Sequence, residues 1–425
     1  MRIELPISKS IANRWLMLQA IHGDELMPVS VAMPDDVQIL HRALTTLHNA
    51  SNSSQSEHPI GGTPSYSPSG RPIAAQAASC SSIELGNCGT AMRFLTAYCA
   101  QLEGQTTILD GVERMHHRPI GQLVDALREI GAQIDYLGEE GFPPLRITGK
   151  ALDKSKPITL NHPQSTQFVS ALLLIGANVQ TDSTSPYITL TREIIDQYPI
   201  AHRASNSPHC GRPIAAQAAS SLEKDWSSAA FWYEYVALHG GEITLPGLSR
   251  DSLQGDKVVA DIFTHLGVHT EYTEEGITIT KNEDEEFLIQ QPKQLYPTTL
   301  RGNQHPAAPG AKANNPCRSR ELIRAEVVDI VVDNTLSLDF ANCPDLYPAI
   351  ALTCERLGIT LHATGVESLP LKESDRLRAV AEHRTDADHR MAMALLIAGY
   401  EVDDTACISK SYPQFLQQWQ TILNS

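Results

Sequence analysis

The chain has 425 residues, 42% of them hydrophobic and 19% charged, and carries a formal net charge of −16. That length and apolar content allow two sizeable cores, while the negative surplus disfavours nucleic acid and anionic membranes and makes any capture of small anions depend on local groups of cations. No apolar run approaches the ~20 residues that span a bilayer, no secretory leader opens the chain and the cysteines form no CxxC pair, so a soluble cytoplasmic protein with reduced thiols and no metal site is expected.

Ser-Lys-Ser-Ile-Ala-Asn-Arg at 8–14 leads into an amphipathic helix over 11–21, with Ser8 or Ser10 as its cap. Free N–H groups at such a start attract anions, and Lys9 and Arg14 add full charges, although an ordinary capped helix with solvated cations has the same pattern. A second helix pattern runs over 36–47. Gly-Asn-Cys-Gly-Thr-Ala-Met-Arg at 86–93 repeats the design, with glycines that let backbone approach a ligand. After a β-type run at 105–109, Arg-Met-His-His-Arg-Pro-Ile at 114–120 sets Arg118 before a proline at a helix N1 position. A cation there opposes the helix dipole unless an anion lies between them. A helix pattern follows over 119–134 and a strand pattern over 145–148; then Ser165, Thr166 and Gln167 open a strongly apolar helix over 168–177.

The pattern at 119–134 returns at 254–269, where Asp125 matches Asp261, Ile130 matches Leu266 and Gly131 matches Gly267 at a constant offset of 136. With strand patterns at 241–245 and 276–280, this duplication predicts repeated strand–helix–strand units in an α/β fold. Another copy begins at Lys-Glu-Ser-Asp-Arg, 372–376, but breaks off at His383 and runs directly into Asp-His-Arg-Met-Ala-Met at 388–393. Stretches rich in Gly, Pro, Ser and Ala at 49–79, 204–220 and 301–320 hold too few large apolar groups to build structure and read as surface insertions. A decapeptide recurs identically at 70–79 and 211–220, without a physical explanation. In the carboxyl half, Asp345 opens an apolar helix over 346–357, and Lys372 and Arg376 stand at i, i+4 on one helix face beside Glu373. His389 and Arg390 sit at the mouth of an apolar helix, and Lys410 follows a β-type run. Each segment alone has a plain reading as a cap or a solvated ion pair; together they point to a cleft for two anions.

As an ordered set, the segments 8–14, 86–93, 114–120, 165–168, 254–256, 372–376 and 388–393 resemble the 5-enolpyruvylshikimate-3-phosphate synthase family of enolpyruvyl transferases. The resemblance implies an α/β fold of two similar domains of repeated βαβαββ units, an inverse α/β barrel arrangement with the active site in the interdomain cleft. The first domain is expected at 9–223 with insertions at 49–79 and 204–220. The second is expected at 1–8 plus 224–425, with an insertion at 301–320 and an apparent deletion near 383–386.

Carried over residue by residue, the resemblance gives shikimate 3-phosphate to Lys9, Ser10, Arg14, Ser165, Thr166, Gln167, Thr184, Asp345 and Lys372. Phosphoenolpyruvate goes to Lys9, Gly89, Arg118, Gln167, Arg376, His389, Arg390 and Lys410. The implied chemistry is addition–elimination, with Asp345 taking the hydroxyl proton, Glu373 delivering a proton to carbon and Lys9 stabilising developing charge, the two carboxylates being tuned apart for these roles. No cofactor is implied, a monomer is expected, and the room beside Gly89 implies inhibition by glyphosate. Departures are Thr166 and Thr184 in place of serine, Phe94 in place of proline, Ser368 in place of an asparagine, and the short connection 377–387, which is expected to disturb the carboxyl-terminal domain or displace His389 and Arg390. Two other readings stay open: a catalytically impaired anion-binding relic, and a transferase acting on a UDP-sugar.

Overall fold

A computed structural model describes residues 1–56, 80–205, 222–281, 328–332 and 334–424. The expected insertions and both copies of the decapeptide lie outside these residues, apart from two edges. Helix Asp35–Ser56 continues into the first insertion and helix Pro186–Ser205 reaches the second, because extending an existing helix costs far less than nucleating one.

One complete βαβαββ unit occupies the first half. Strand Cys80–Glu84 runs parallel to Thr106–Asp110 through the crossover helix Gly89–Ala100, and helix Gly121–Glu129 then leads to Gln133–Tyr136 and Leu145–Thr148. Leu145–Thr148 lies antiparallel to both Thr106–Asp110 and Gln133–Tyr136. Alternation turns Leu145 and Ile147 inward while Arg146 faces water, as period-2 side-chain geometry requires.

The second half repeats the order with a strand borrowed from the start of the chain. Arg2 bridges Thr244 in parallel fashion, and helix Trp226–His239 precedes Glu242–Pro246. Helix Val259–Thr264 then leads to Val268–Tyr272 and Gly276–Lys281, which form an antiparallel ladder with Glu242–Pro246. A further unit has Thr335–Asp339 parallel to Thr360–Thr364 across helix Tyr347–Leu357. It stops after helix Arg376–Glu382: His383 closes that helix at φ 51, and residues 384–388 lead straight into helix His389–Ile397.

Apolar side chains gather into two cores. One runs from Ala12 to Tyr198; the other joins Ile3 and Leu5 to residues from Trp226 to Ile422. Each fully buried large side chain, such as Phe94 in the first or Trp232 in the second, contributes about 1.5–3 kcal/mol. The chain passes between the cores twice, and the two passages lie side by side: Ile7 bridges Lys224, Ser8 N–H donates to Glu223 O at 2.9 Å and Asp225 N–H to Pro6 O at 3.0 Å. No helix among the described residues is long and apolar enough to cross a membrane.

Candidate active site

A cleft runs between the two cores, lined from the first by Lys9, Ser10, Asn13, Arg14, Gly89, Arg93, Arg118, Ser165, Thr166 and Gln167, and from the second by Asp345, Ser368, Lys372 and Glu373. Helix starts supply most of the first wall. Lys9 is the first residue of helix Lys9–His22, and its ammonium pairs with buried Asp36 at 3.0 Å. Arg14, one turn on, is buried and donates to Thr191 Oγ1, Ser10 O, Ser170 Oγ and Tyr187 O. Burial lowers its guanidinium to about 10. The Phe94 ring lies 5.6 Å beneath that guanidinium.

At the second helix mouth, Gly89 leaves room for Arg118: a Cβ there would stand 2.6 Å from its guanidinium and push it aside. Arg118 donates to Asn87 O at 3.2 Å. Ser165 caps helix Thr166–Leu174 by accepting from Gln167 N–H. The Gln167 side chain is clamped between Arg93, which donates to its Oε1 at 2.8 Å, and Thr90, which accepts from its Nε2 at 2.9 Å.

Behind the second wall lies a lattice of charges centred on Arg376, which, like the expected site residues His389, Arg390 and Lys410, is not itself part of the cleft lining. Its guanidinium, 1% exposed, reaches Asp345 Oδ1 at 2.8 Å, Glu373 Oε2 at 3.2 Å and Asp388 Oδ2 at 2.9 Å. Arg390 holds the other Asp345 oxygen at 2.8 Å, Lys372 lies 3.5 Å from Oδ1, and Lys410 holds Glu373 Oε1 at 2.9 Å. Asp388 caps its helix by accepting from Arg390 N–H at 2.9 Å, which carries Arg390 to Asp345 in spite of the shortened connection.

Electrostatics tie the walls together. Burial pushes the Asp345 carboxyl up, but Arg390, then Lys372, Arg376 and Lys9 outweigh it and hold it well below the usual range. Burial likewise opposes Lys410, Arg118 and Arg376 at Glu373, and the cations again win. Both carboxyls are thus held low by the same cause, at least two cations in direct reach of each. Burial, reinforced by Lys9 and Arg390, keeps His389 neutral. Buried polar atoms without a hydrogen-bond partner among the described residues gather in and behind these walls: both His389 ring nitrogens, Nε and Nη1 of Arg390, Nε of Arg118 and of Arg93, and the Asn13 amide. Each costs about 1–3 kcal/mol until something accepts from or donates to it.

Several local expectations need correction. Lys372 and Arg376 do not share a helix face: Lys372 ends the short 3-10 turn Leu369–Leu371, and the helix starts at Arg376 because Asp375 caps it, accepting from Arg378 N–H. The two cations meet instead through Asp345. Pro119 is not at N1, since the helix begins at Gly121. Lys410 closes a 3-10 turn, Ala406–Lys410, rather than following a strand. Thr184 is exposed and outside the cleft lining, where Ser185 and Tyr187 stand.

Sequence reasoning gave no role to Asp36, Asn13, Thr90, Arg93 or Asp388. An arginine within the apolar helix Gly89–Ala100 was the signal for Arg93, and burial explains its guanidinium being lowered to about 9. The segment 254–256 works at the passage between cores: Gln254 Nε2 donates to Lys224 O, and Asp256 accepts from Ser227 and from Tyr187 OH at 3.2 Å.

Comparison with known proteins agrees. The profile of the EPSP synthase family (3-phosphoshikimate 1-carboxyvinyltransferase) matches residues 1–315 and 381–419. A 3-phosphoshikimate 1-carboxyvinyltransferase of Bacteroides fragilis is 32% identical, covering 97% of this chain and 93% of that one. Another, from Idiomarina loihiensis, is 28% identical and covers 100% of this chain and 96% of its own. A solved EPSP synthase from Acinetobacter baumannii shares the fold with a TM-score of 0.55 at 19% identity, over 99% of this chain and 95% of that one. Together with its two α/β halves and the cleft between them, these matches show that the chain belongs to the EPSP synthase family.

Proposed function

We propose that the protein transfers the enolpyruvyl group of phosphoenolpyruvate to the 5-hydroxyl of shikimate 3-phosphate and releases phosphate, a step toward chorismate and the aromatic amino acids. The observation that carries this reading is one arginine, Arg376, gripping two carboxylates, Asp345 and Glu373, at the border of a cation-rich cleft. A base and an acid both tied to one cation suit a reaction that removes a proton from oxygen and adds one to carbon.

Ser10, Arg14, Ser165, Thr166, Gln167 and Lys372 hold shikimate 3-phosphate in this reading. Gly89, Arg118, Arg376, His389, Arg390 and Lys410 hold phosphoenolpyruvate, and Lys9 serves both. Guanidinium groups and helix-mouth amides are the donors best matched to phosphate and carboxylate. Asp345, ionised in the cleft, takes the proton of the 5-hydroxyl as its oxygen attacks C2 of phosphoenolpyruvate. Glu373 protonates the methylene carbon, and Lys9 stabilises the charge that develops. The tetrahedral adduct then expels phosphate while the Glu373 carboxylate takes a proton back from the methyl group, and the electron pair of that C–H bond forms the enol ether double bond. Glu373 acquires its proton when phosphoenolpyruvate, itself an anion, takes over the cations that otherwise lower it.

Cys88 gives no support to a UDP-sugar transferase with a reactive thiol: it is buried, and burial and Asp36 push it up, away from the thiolate. A monomer in the cytoplasm belongs to the same reading. We place the domain boundaries at the paired passages, 9–223 and 1–8 with 224–425. The test is phosphate release from the two substrates in a coupled assay. Turnover in the wild type, lost in Glu373→Gln, supports the transferase; tight binding without wild-type turnover supports a relic.

A further inference from the structure

Arg114 opens the segment that also holds Arg118, yet it does not line the cleft. It belongs to the 3-10 turn Glu113–His117, anchored in the first core by Met115, which is 1% exposed. Its side chain leaves that core and crosses to the second half. There Nε donates to Glu373 O at 3.1 Å, and Nη2 donates to Lys372 O at 2.9 Å and Pro370 O at 3.2 Å. Three carbonyls of one short loop thus converge on one guanidinium, more than 250 positions earlier in sequence.

The loop needs such a partner. Lys372 and Glu373 lie between the 3-10 turn Leu369–Leu371 and helix Arg376–Glu382, Pro370 lies within that turn, and no backbone N–H among the described residues donates to any of the three carbonyls. The loop also carries two side chains of the site. Lys410 and Arg376 hold the Glu373 carboxylate, but neither fixes the backbone from which that carboxylate projects. Resting on the function proposed above, we infer that Arg114 is a positioning residue: from the far side of the cleft it locks the backbone of 370–373, so that Glu373 keeps its register against the anion-binding wall built around Arg118.

A planar fork is required for this task, because the three carbonyls approach two different nitrogens of one rigid group. A lysine ammonium reaches fewer of them in the same geometry. Arg114→Ala is expected to lower kcat on the order of 10- to 100-fold, the scale of a small misplacement of a reacting group, while KM for each substrate changes by less than about threefold. Arg114→Lys is expected to recover only part of that loss.

Steady-state kinetics and amide hydrogen exchange, read by mass spectrometry on the full-length wild type and both variants, test the proposal. Peptides covering 369–376 in Arg114→Ala should lose protection by about tenfold or more, with the remaining peptides unchanged. Two results overturn the clamp: kcat in Arg114→Ala within about twofold of wild type, or protection lost uniformly across the chain with Tm falling in step. Should the wild type itself release no phosphate, the functional reading fails separately, and exchange alone decides: selective loss at 369–376 upholds the clamp and unchanged protection refutes it.

Discussion

The Lys410 ammonium stands 2.9 Å from Glu373 Oε1 and, with another of its hydrogens, 3.0 Å from Asn87 O in the first half of the chain. The group assigned as proton donor is therefore held as an anion by a cation that also grips the other half. Binding of phosphoenolpyruvate must release this grip for Glu373 to become an acid. Net proton uptake is the expected sign of that release at about pH 4.5, since a carboxyl that moves from well below its ordinary range up to it is ionised before binding and half protonated after. Calorimetric titration of both substrates in buffers of different ionisation heat measures it. Uptake should disappear in Glu373→Gln, and kcat there should fall by about 100-fold or more.

Arg376 and Asp388 form a pair that is 1% and 0% exposed. Removing one partner leaves a buried charge without compensation, so Arg376→Met should cost about 3–5 kcal/mol in urea unfolding at pH 7. Adding Asp388→Leu should restore part of that stability but no turnover. An unchanged unfolding midpoint in the single variant would contradict the central place given to this pair.

Gly89 bears on specificity. A methyl group there meets the mobile end of Arg118 rather than backbone, so Gly89→Ala should fold normally and displace the guanidinium. The expected result is a rise of about tenfold in KM for phosphoenolpyruvate, with KM for shikimate 3-phosphate within about threefold. Parallel initial-rate series with each substrate varied settle the point.

Glu234 lies in helix Trp226–His239 within the second core, with both carboxyl oxygens buried and without a hydrogen-bond partner among the described residues. Burial raises it well above 4.5. A raised acid binds a proton in the folded state that the unfolded chain releases, so its cost appears as pH climbs above 4.5 and grows until the folded group ionises. Glu234→Leu should therefore stabilise the protein by about 1–3 kcal/mol at pH 8 and by less at pH 4. Thermal unfolding of both proteins across that range shows whether the difference grows in this direction.

Much of the site was readable because its chemistry lies in short runs: Lys9 with Arg14, Gly89 at a helix mouth, His389 beside Arg390. Helical period and glycine-terminated repeats likewise disclosed the doubled α/β plan, with Gly131 and Gly267 both adopting positive φ. What stayed hidden depends on folding at a distance. Nothing near Lys9 announces that Asp36 will neutralise it, and nothing near Arg114 announces carbonyls from 370–373. The i, i+4 spacing of Lys372 and Arg376 suggested a helix because spacing carries no record of the cap at Asp375. The charge state of Glu373 likewise follows from Lys410, Arg118 and Arg376 arriving from three separate segments.

The bridge between Arg2 and Thr244 also ties distant parts of the chain into one layer. Residues 1–5 join partners more than two hundred positions away, and Tyr412 and Gln418 donate to Glu4 O from the carboxyl-terminal region. Cutting the chain after Leu5 would therefore unseat Ile3 and Leu5 from the second core and leave the first core's own apolar set untouched.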